Sequence, residues 1–148
     1  MLTNPLILSP LLAMVIAQIS KVVIVGLIDH RWAPKRAAET GGMPSSHSAA
    51  MAALCTSSLL YYGVASPFFA ISLVFGIIVV YDATGIRRAA GRHAEILNDL
   101  LAEFSHLFDE KSRPAALKTL LGHSYPQVLA GLGLGTAIAF IVKRFLAV

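Results

Sequence analysis

From Leu6 to Ile28 the chain is apolar except at Ser9, Gln18, Ser20 and Lys21. As a helix rising ~1.5 Å per residue, such a run reaches roughly 35 Å, enough to cross a hydrocarbon core of about 30 Å. Three further apolar runs follow: Ser48–Tyr62, Phe68–Ala83 and Val128–Phe145. The middle two are short, but neighbouring helical residues extend them. Only 14% of the 148 residues are charged and 56% are hydrophobic, whereas soluble domains carry about a quarter charged residues. A soluble four-helix bundle is the alternative, and the charge deficit weighs against it. The expected fold class is therefore all-α: an integral membrane helical bundle of about four transmembrane spans in a single domain over residues 1–148. Met1 to Asn4 holds no basic residue, and no small-residue cleavage site follows the first run, so a removable signal peptide is not expected. The single cysteine, Cys55, permits no intramolecular disulfide and reads as a small packing residue.

The net charge of +4 is unevenly distributed. Arg31, Lys35 and Arg36 lie between the first two spans. Arg87, Arg88, Arg92, Lys111, Arg113 and Lys118 lie between the last two. The short link Gly63–Pro67 carries no charge. By the positive-inside rule both basic loops face the cytoplasm and both termini lie outside. Arg87 to Phe108 differs from the spans. Ala90, Ala94, Leu97, Leu101, Phe104 and Phe108 recur at helical spacing, with Arg92, Glu95, Asp99 and Glu103 on other faces. This predicts an amphipathic helix at the cytoplasmic interface, continuous with or adjoining the third span. Asp109–Pro114 reads as a linker and Ala115–Leu121 as a short helix ended by Gly122. Pro126 stands where a helix can start. Gly131, Gly133 and Gly135 thread the last span, and Gly131 with Gly135 makes a G-x-x-x-G pattern that packs a bundle or supports a homo-oligomer.

The stretch G-G-M-P-S-S-H-S, Gly41 to Ser48, precedes the second span. Gly41 and Gly42 leave backbone amides accessible. Ser45 or Ser46 can cap the helix, and free amides at a helix start favour an anion. His47 follows in the first turn. Taken alone, a capped helix with an incidental histidine and an anion site are equally good readings. His123, between Gly122 and a Ser-Tyr-Pro helix start, tips the balance. Two histidines at two helix heads on one membrane face suit a nucleophile and a general acid. Lys21, a charge inside a span, is costly there and is either functional or snorkels to the interface.

The strings T-G-G-M-P-S-S-H-S-A, Y-D-A-T-G-I-R-R-A-A-G and L-L-G-H-S-Y-P-Q-V-L-A-G resemble the divergent, small-membrane-protein branch of the type 2 phosphatidic acid phosphatase and vanadium haloperoxidase superfamily. The likeness runs from about Lys21 to Gly135. It implies a metal-independent phosphatase, without cofactor, working through a phosphohistidine. By position, His123 would be the nucleophile and His47 the general acid. Gly42, Ser45, Ser46 and nearby amides would bind phosphate, with Lys21 and Arg31 as cations. Leu117 stands where the superfamily has an arginine, so Lys118, Arg87 or Arg88 would supply that charge. Gln127 occupies the place of the acid that orients the nucleophile. Asp82, at the end of a span, is either a functional acid, and then the first candidate for a substitute, or the partner of an arginine.

No histidine, cysteine and carboxylate group has metal-ligand spacing. The basic loops lack interleaved aromatics, which argues against nucleic acid and leaves anionic membrane lipid as the nearer partner. The expectation is a multi-pass membrane enzyme that hydrolyses a lipid phosphate monoester at the cytoplasmic face. Phosphatidic acid, phosphatidylglycerol phosphate and polyprenyl phosphates all fit. A non-catalytic binder or carrier of phosphorylated lipid is the alternative. The charge pattern makes one direct prediction. Single cysteines at Ala38 and Ala115, in a Cys55→Ser background, should resist an impermeant thiol reagent in intact cells; labelling of both from outside would reverse the topology.

Overall fold

Small side chains decide the architecture. The computed structural model describes residues 4–28, 42–108, 114–119 and 121–146. Its helices are α1 (Pro5–Ile28), α2 (Ser46–Tyr62), α3 (Pro67–Thr84), α4 (Ile86–Glu103) and α5 (Tyr125–Phe145), with a 3₁₀ turn at Ser105–Leu107. Among the described residues there is no strand. The second helix, rich in serine and alanine, is the axis of the bundle. It packs on α1, α3 and α5, while α3 barely meets α5 and α1 does not approach α3. The core holds Ala13 and Ala17 of α1, Ala49 and Ala53 of α2, and Ile138 and Val142 of α5. Large apolar side chains such as Val74, Phe75, Ile77 and Leu129 point outward instead, as hydrocarbon solvent allows.

Three helical stretches are long and apolar enough to cross a membrane: Pro5–Leu27, the run Pro67–Glu103 through α3 and α4, and Tyr125–Phe145. The expected second span, α2, has 17 residues, or roughly 26 Å. It is shorter and more polar than its neighbours because they shield it. Ser46, Ser48, Ser57 and Ser58 are all buried against protein.

Ser66 caps α3 by accepting the Phe69 N–H at 3.2 Å, and Pro67 opens the helix. At the far end the amphipathic helix adjoins the span as expected. Gly85 bends the chain, yet its N–H still donates to the Tyr81 carbonyl (2.8 Å) and its carbonyl accepts from Ala89 (2.9 Å). The apolar Ile96, Leu97 and Leu100 of α4 remain uncovered, and only Gly91 and Ala94 are buried.

The short helix expected over Ala115–Leu121 does not form: residues 114–119 and 121 are non-helical. One side chain of α4 accounts for this. The Asn98 amide donates to the Leu117 carbonyl (2.9 Å) and accepts from the Leu117 N–H (2.8 Å). It satisfies that backbone as a neighbouring strand would. Gly91 lets the strap lie flush, since a Cβ there would stand 2.8 Å from the Thr119 carbonyl.

The G-x-x-x-G pattern is used within the chain. A side chain on Gly131 would meet the Ser45 carbonyl, and one on Gly135 would overlap the Ala49 carbonyl, whereas Gly133 faces open space. Gly135→Ala should therefore cost about 1–3 kcal/mol, the usual penalty for overpacking. Gly133→Ala should be neutral or gain up to ~1 kcal/mol from helix propensity. Thermal unfolding in detergent measures both, and equal effects would refute the α2–α5 packing.

Candidate functional site

The heads of α2 and α5 are tied together. The Ser45 N–H donates to the Gln127 carbonyl at 3.0 Å. Ser45 is the N-cap of α2: its Oγ accepts from the Ser48 N–H (3.3 Å) and lies 3.0 Å from the Ser48 hydroxyl. Its hydroxyl is thus engaged in the fold, and Ser46 begins the helix, buried. His47 projects from this first turn with an exposed side chain. The glycine loop passes over Lys21. Gly42 has φ +92°, and a Cβ on it would sit 3.7 Å from the Lys21 side chain. Lys21 itself is only 2% exposed.

The α3–α4 junction holds the third piece. Gly122, at φ +79°, rests on the backbone of Arg87 and Arg88 so closely that any Cβ would overlap them. The next residue's N–H, that of His123, donates to the Ala83 carbonyl at 2.9 Å. His123 is thereby buried to 4% exposure. The result is a cavity of about 90 Å³ lined by His47, Asp82, Arg87, Gly122 and His123, together with Val79 and Ala83. The Asp82 carboxylate pairs with Arg87 Nε.

Gln127 sets the state of the buried imidazole. Its Oε1 accepts the Ser124 N–H at 3.1 Å and lies 3.2 Å from His123 Nδ1. A backbone N–H can only donate, so it fixes which end of the amide faces the ring. The oxygen faces Nδ1, which must then carry the proton. Nε2 is left with its lone pair free. Burial lowers the proton affinity of His123 below the ordinary 6.5. The Gln127 bond opposes that shift, and the positive charges of Lys21, His47 and Arg87 reinforce it. A neutral imidazole with a free Nε2 is the nucleophilic form.

The structure brings together His47, Asp82, Arg87 and His123, with Gln127 behind the last and Lys21 near enough for its charge to act on both histidines. It does not bring in Arg88, whose guanidinium lies over the Tyr125 ring at 6.0 Å. Lys118 is exposed on the strap and lines no part of the cavity. Arg31 lies outside the described residues. Among the described residues no group of three histidine, cysteine or carboxylate side chains is placed to hold a metal ion. Two contributors were absent from the sequence reading. Asn98 looked like any polar residue on the solvated side of an amphipathic helix. The Ala83 carbonyl, which seats His123, leaves no trace in sequence.

A membrane helical bundle with two histidines, an arginine and an aspartate lining one cavity, and a buried lysine near it, is the class that fold and site define. The chain matches the Divergent PAP2 family over residues 2–138, and it belongs to that family. It is 38% identical over 154 aligned residues, covering 98% of each chain, to YuiD, an uncharacterized membrane protein of Bacillus subtilis (strain 168). No solved structure matches it.

The lowered proton affinity of His123 has a measurable sign. In labelled protein, its imidazole should titrate below 6.5, so it is neutral at pH 7 and gains a proton only on acidification. Gln127→Leu removes the bond that favours the protonated ring and should move the midpoint lower still. A midpoint at or above the ordinary value, or an upward shift in the variant, would contradict the site as described.

Proposed function

We propose that this chain is a membrane phosphatase that hydrolyses a lipid phosphate monoester at the cytoplasmic face through a phosphohistidine. The observation that carries the reading is the Gln127–His123 arrangement: a buried imidazole with its far nitrogen held, opening onto a cavity shared with a second histidine and a guanidinium. Family membership supports it independently.

In the first step His123 Nε2 attacks phosphorus and the ester P–O bond breaks. The alkoxide takes a proton from the imidazolium of His47. In the second step His47, now neutral, removes a proton from water. The hydroxide attacks phosphorus, the P–N bond breaks, and inorganic phosphate leaves with His123 restored. Phosphoryl oxygens are balanced by Arg87 and Lys21, and by amides at the start of α2, where the helix dipole favours negative charge. Of the two readings of Asp82, functional acid or arginine partner, its pairing with Arg87 supports the second, and its role is to aim that guanidinium. The sequence alternative, a non-catalytic binder, would keep the same anion contacts and lose both proton transfers.

Phosphate release from lipid phosphates in detergent, with EDTA present, tests the reading. His123→Ala should abolish turnover and leave no acid-labile phosphoenzyme. His47→Ala should lower turnover by about 10²–10⁴-fold, the usual worth of general acid catalysis, and still form phosphoenzyme from a substrate with a good leaving group. Near-normal activity in His123→Ala would remove the nucleophile. Binding of phosphorylated lipid with no turnover in the wild type would favour the carrier.

A further inference from the structure

The cavity does not end at Val79. That residue also lines a second, almost wholly apolar groove of about 370 Å³ between α1 and α3. The groove follows the faces that carry the site. On α2, His47 is succeeded at helical spacing by Met51 and Leu54. On α3, Asp82 and Val79 are succeeded by Phe75, Ile71 and Phe68. Residues three and four apart share a helix face, so the polar cavity and the apolar groove form one continuous cleft floored by α2. The cleft exists because α1 and α3 do not approach one another. Ser72 does not break its apolar character, since its hydroxyl is turned back onto the Phe69 carbonyl at 3.0 Å.

From Val79 to Phe68 the groove runs roughly 16 Å at ~1.5 Å per residue. It covers most of the length of α3 and passes the middle of that helix towards its Pro67 end, where Phe68 packs on Tyr62. We infer that the α1–α3 groove holds a single hydrocarbon chain of the phosphorylated lipid, with its phosphate at His47 and His123 and its terminus near Leu6 and Phe68. The inference rests on the lipid-phosphate reading of the site. A larger groove of about 690 Å³ lies between α3 and α5, but it shares none of the cavity's lining residues. Its mouth carries Tyr125, over whose ring Arg88 is stacked. The larger groove is the rival path for the chain.

The test uses hexadecyl phosphate bearing a diazirine at the chain terminus, with the full-length protein in phosphatidylcholine nanodiscs. Photolysis should label peptides containing Leu6, Phe68 or Ile71. Excess hexadecyl phosphate should displace the label, and hexadecanol should not. Leu54→Trp fills the groove floor and should cut labelling by roughly tenfold or more, as an overpacked apolar site does. Leu132→Trp, in the rival groove, should leave it unchanged. Label at Leu132 or Thr136, label spread over all lipid-facing residues, or equal displacement by hexadecanol would each overturn the inference. Labelling needs no turnover, so it holds even where no phosphate is released; that result would sink the phosphatase reading and leave the groove standing.

Discussion

The close approach of two helix backbones governs the rest of the molecule. In lipid there is little hydrophobic force between helices, and association relies on packing and hydrogen bonds. Gly131 and Gly135 let α5 settle onto the carbonyls of Ser45 and Ala49. The Ser45 N–H then reaches the Gln127 carbonyl. Because His47 lies two residues beyond Ser45 and His123 four before Gln127, this contact fixes the separation of the two imidazoles. A methyl group at either glycine would push the helix heads apart and spoil the site without touching a functional residue.

The same contact explains why α2 is the least lipid-like helix. A central helix surrounded by protein must present small surfaces on several sides, and serine and alanine provide them. Large apolar side chains are displaced to the outside of α1, α3 and α5. Where those outer helices fail to meet over α2, clefts remain, and one of them shares the Val79 side chain with the cavity. The α3–α4 bend completes the enclosure. Gly85 separates α3 from α4, Gly122 docks on the turn that follows, and the Ala83 carbonyl takes the His123 amide. Three sequence motifs far apart in the chain meet because three glycines, Gly122, Gly131 and Gly135, remove the side chains that would hold them apart.

Much of this was legible in the sequence, for physical reasons. Apolar run lengths gave the spanning helices, because backbone groups in hydrocarbon can be satisfied only within a helix or a closed barrel. The heptad-like spacing after Arg87 gave α4, and the Ser-Tyr-Pro string gave the start of α5. The pairing of His47 with His123 followed from both standing at helix heads on one side. What sequence could not supply was third-party backbone satisfaction. Ala115–Leu121 has helical composition, but Asn98 offers its peptide groups better partners. Likewise Arg87 and Arg88 are indistinguishable neighbours in sequence. About 100° of helical rotation separates them, and it sends one to Asp82 and the other to Tyr125.

The amide at position 127 remains the most informative departure from an acid. Geometry does not demand it, since a carboxylate could accept the same two N–H groups from Ser124 and His123. The difference is one unit of charge. A carboxylate at 127 would add a negative charge beside His123 in a setting where water screens weakly and charges a few ångströms apart interact by several kcal/mol. It would also favour the protonated form of His123, opposing the burial and the cationic neighbours that keep the ring neutral. Glutamine thus holds the tautomer, adds no negative charge beside the ring and keeps Nε2 unprotonated. On the proposed phosphatase reading the cost falls on the first half of the reaction, where an orienting negative charge would have stabilised the cationic phosphoimidazole as it forms. The same missing charge leaves the neutral imidazole the better leaving group, so on that reading formation of the phosphohistidine, rather than its breakdown, is the step that these electrostatics leave slow.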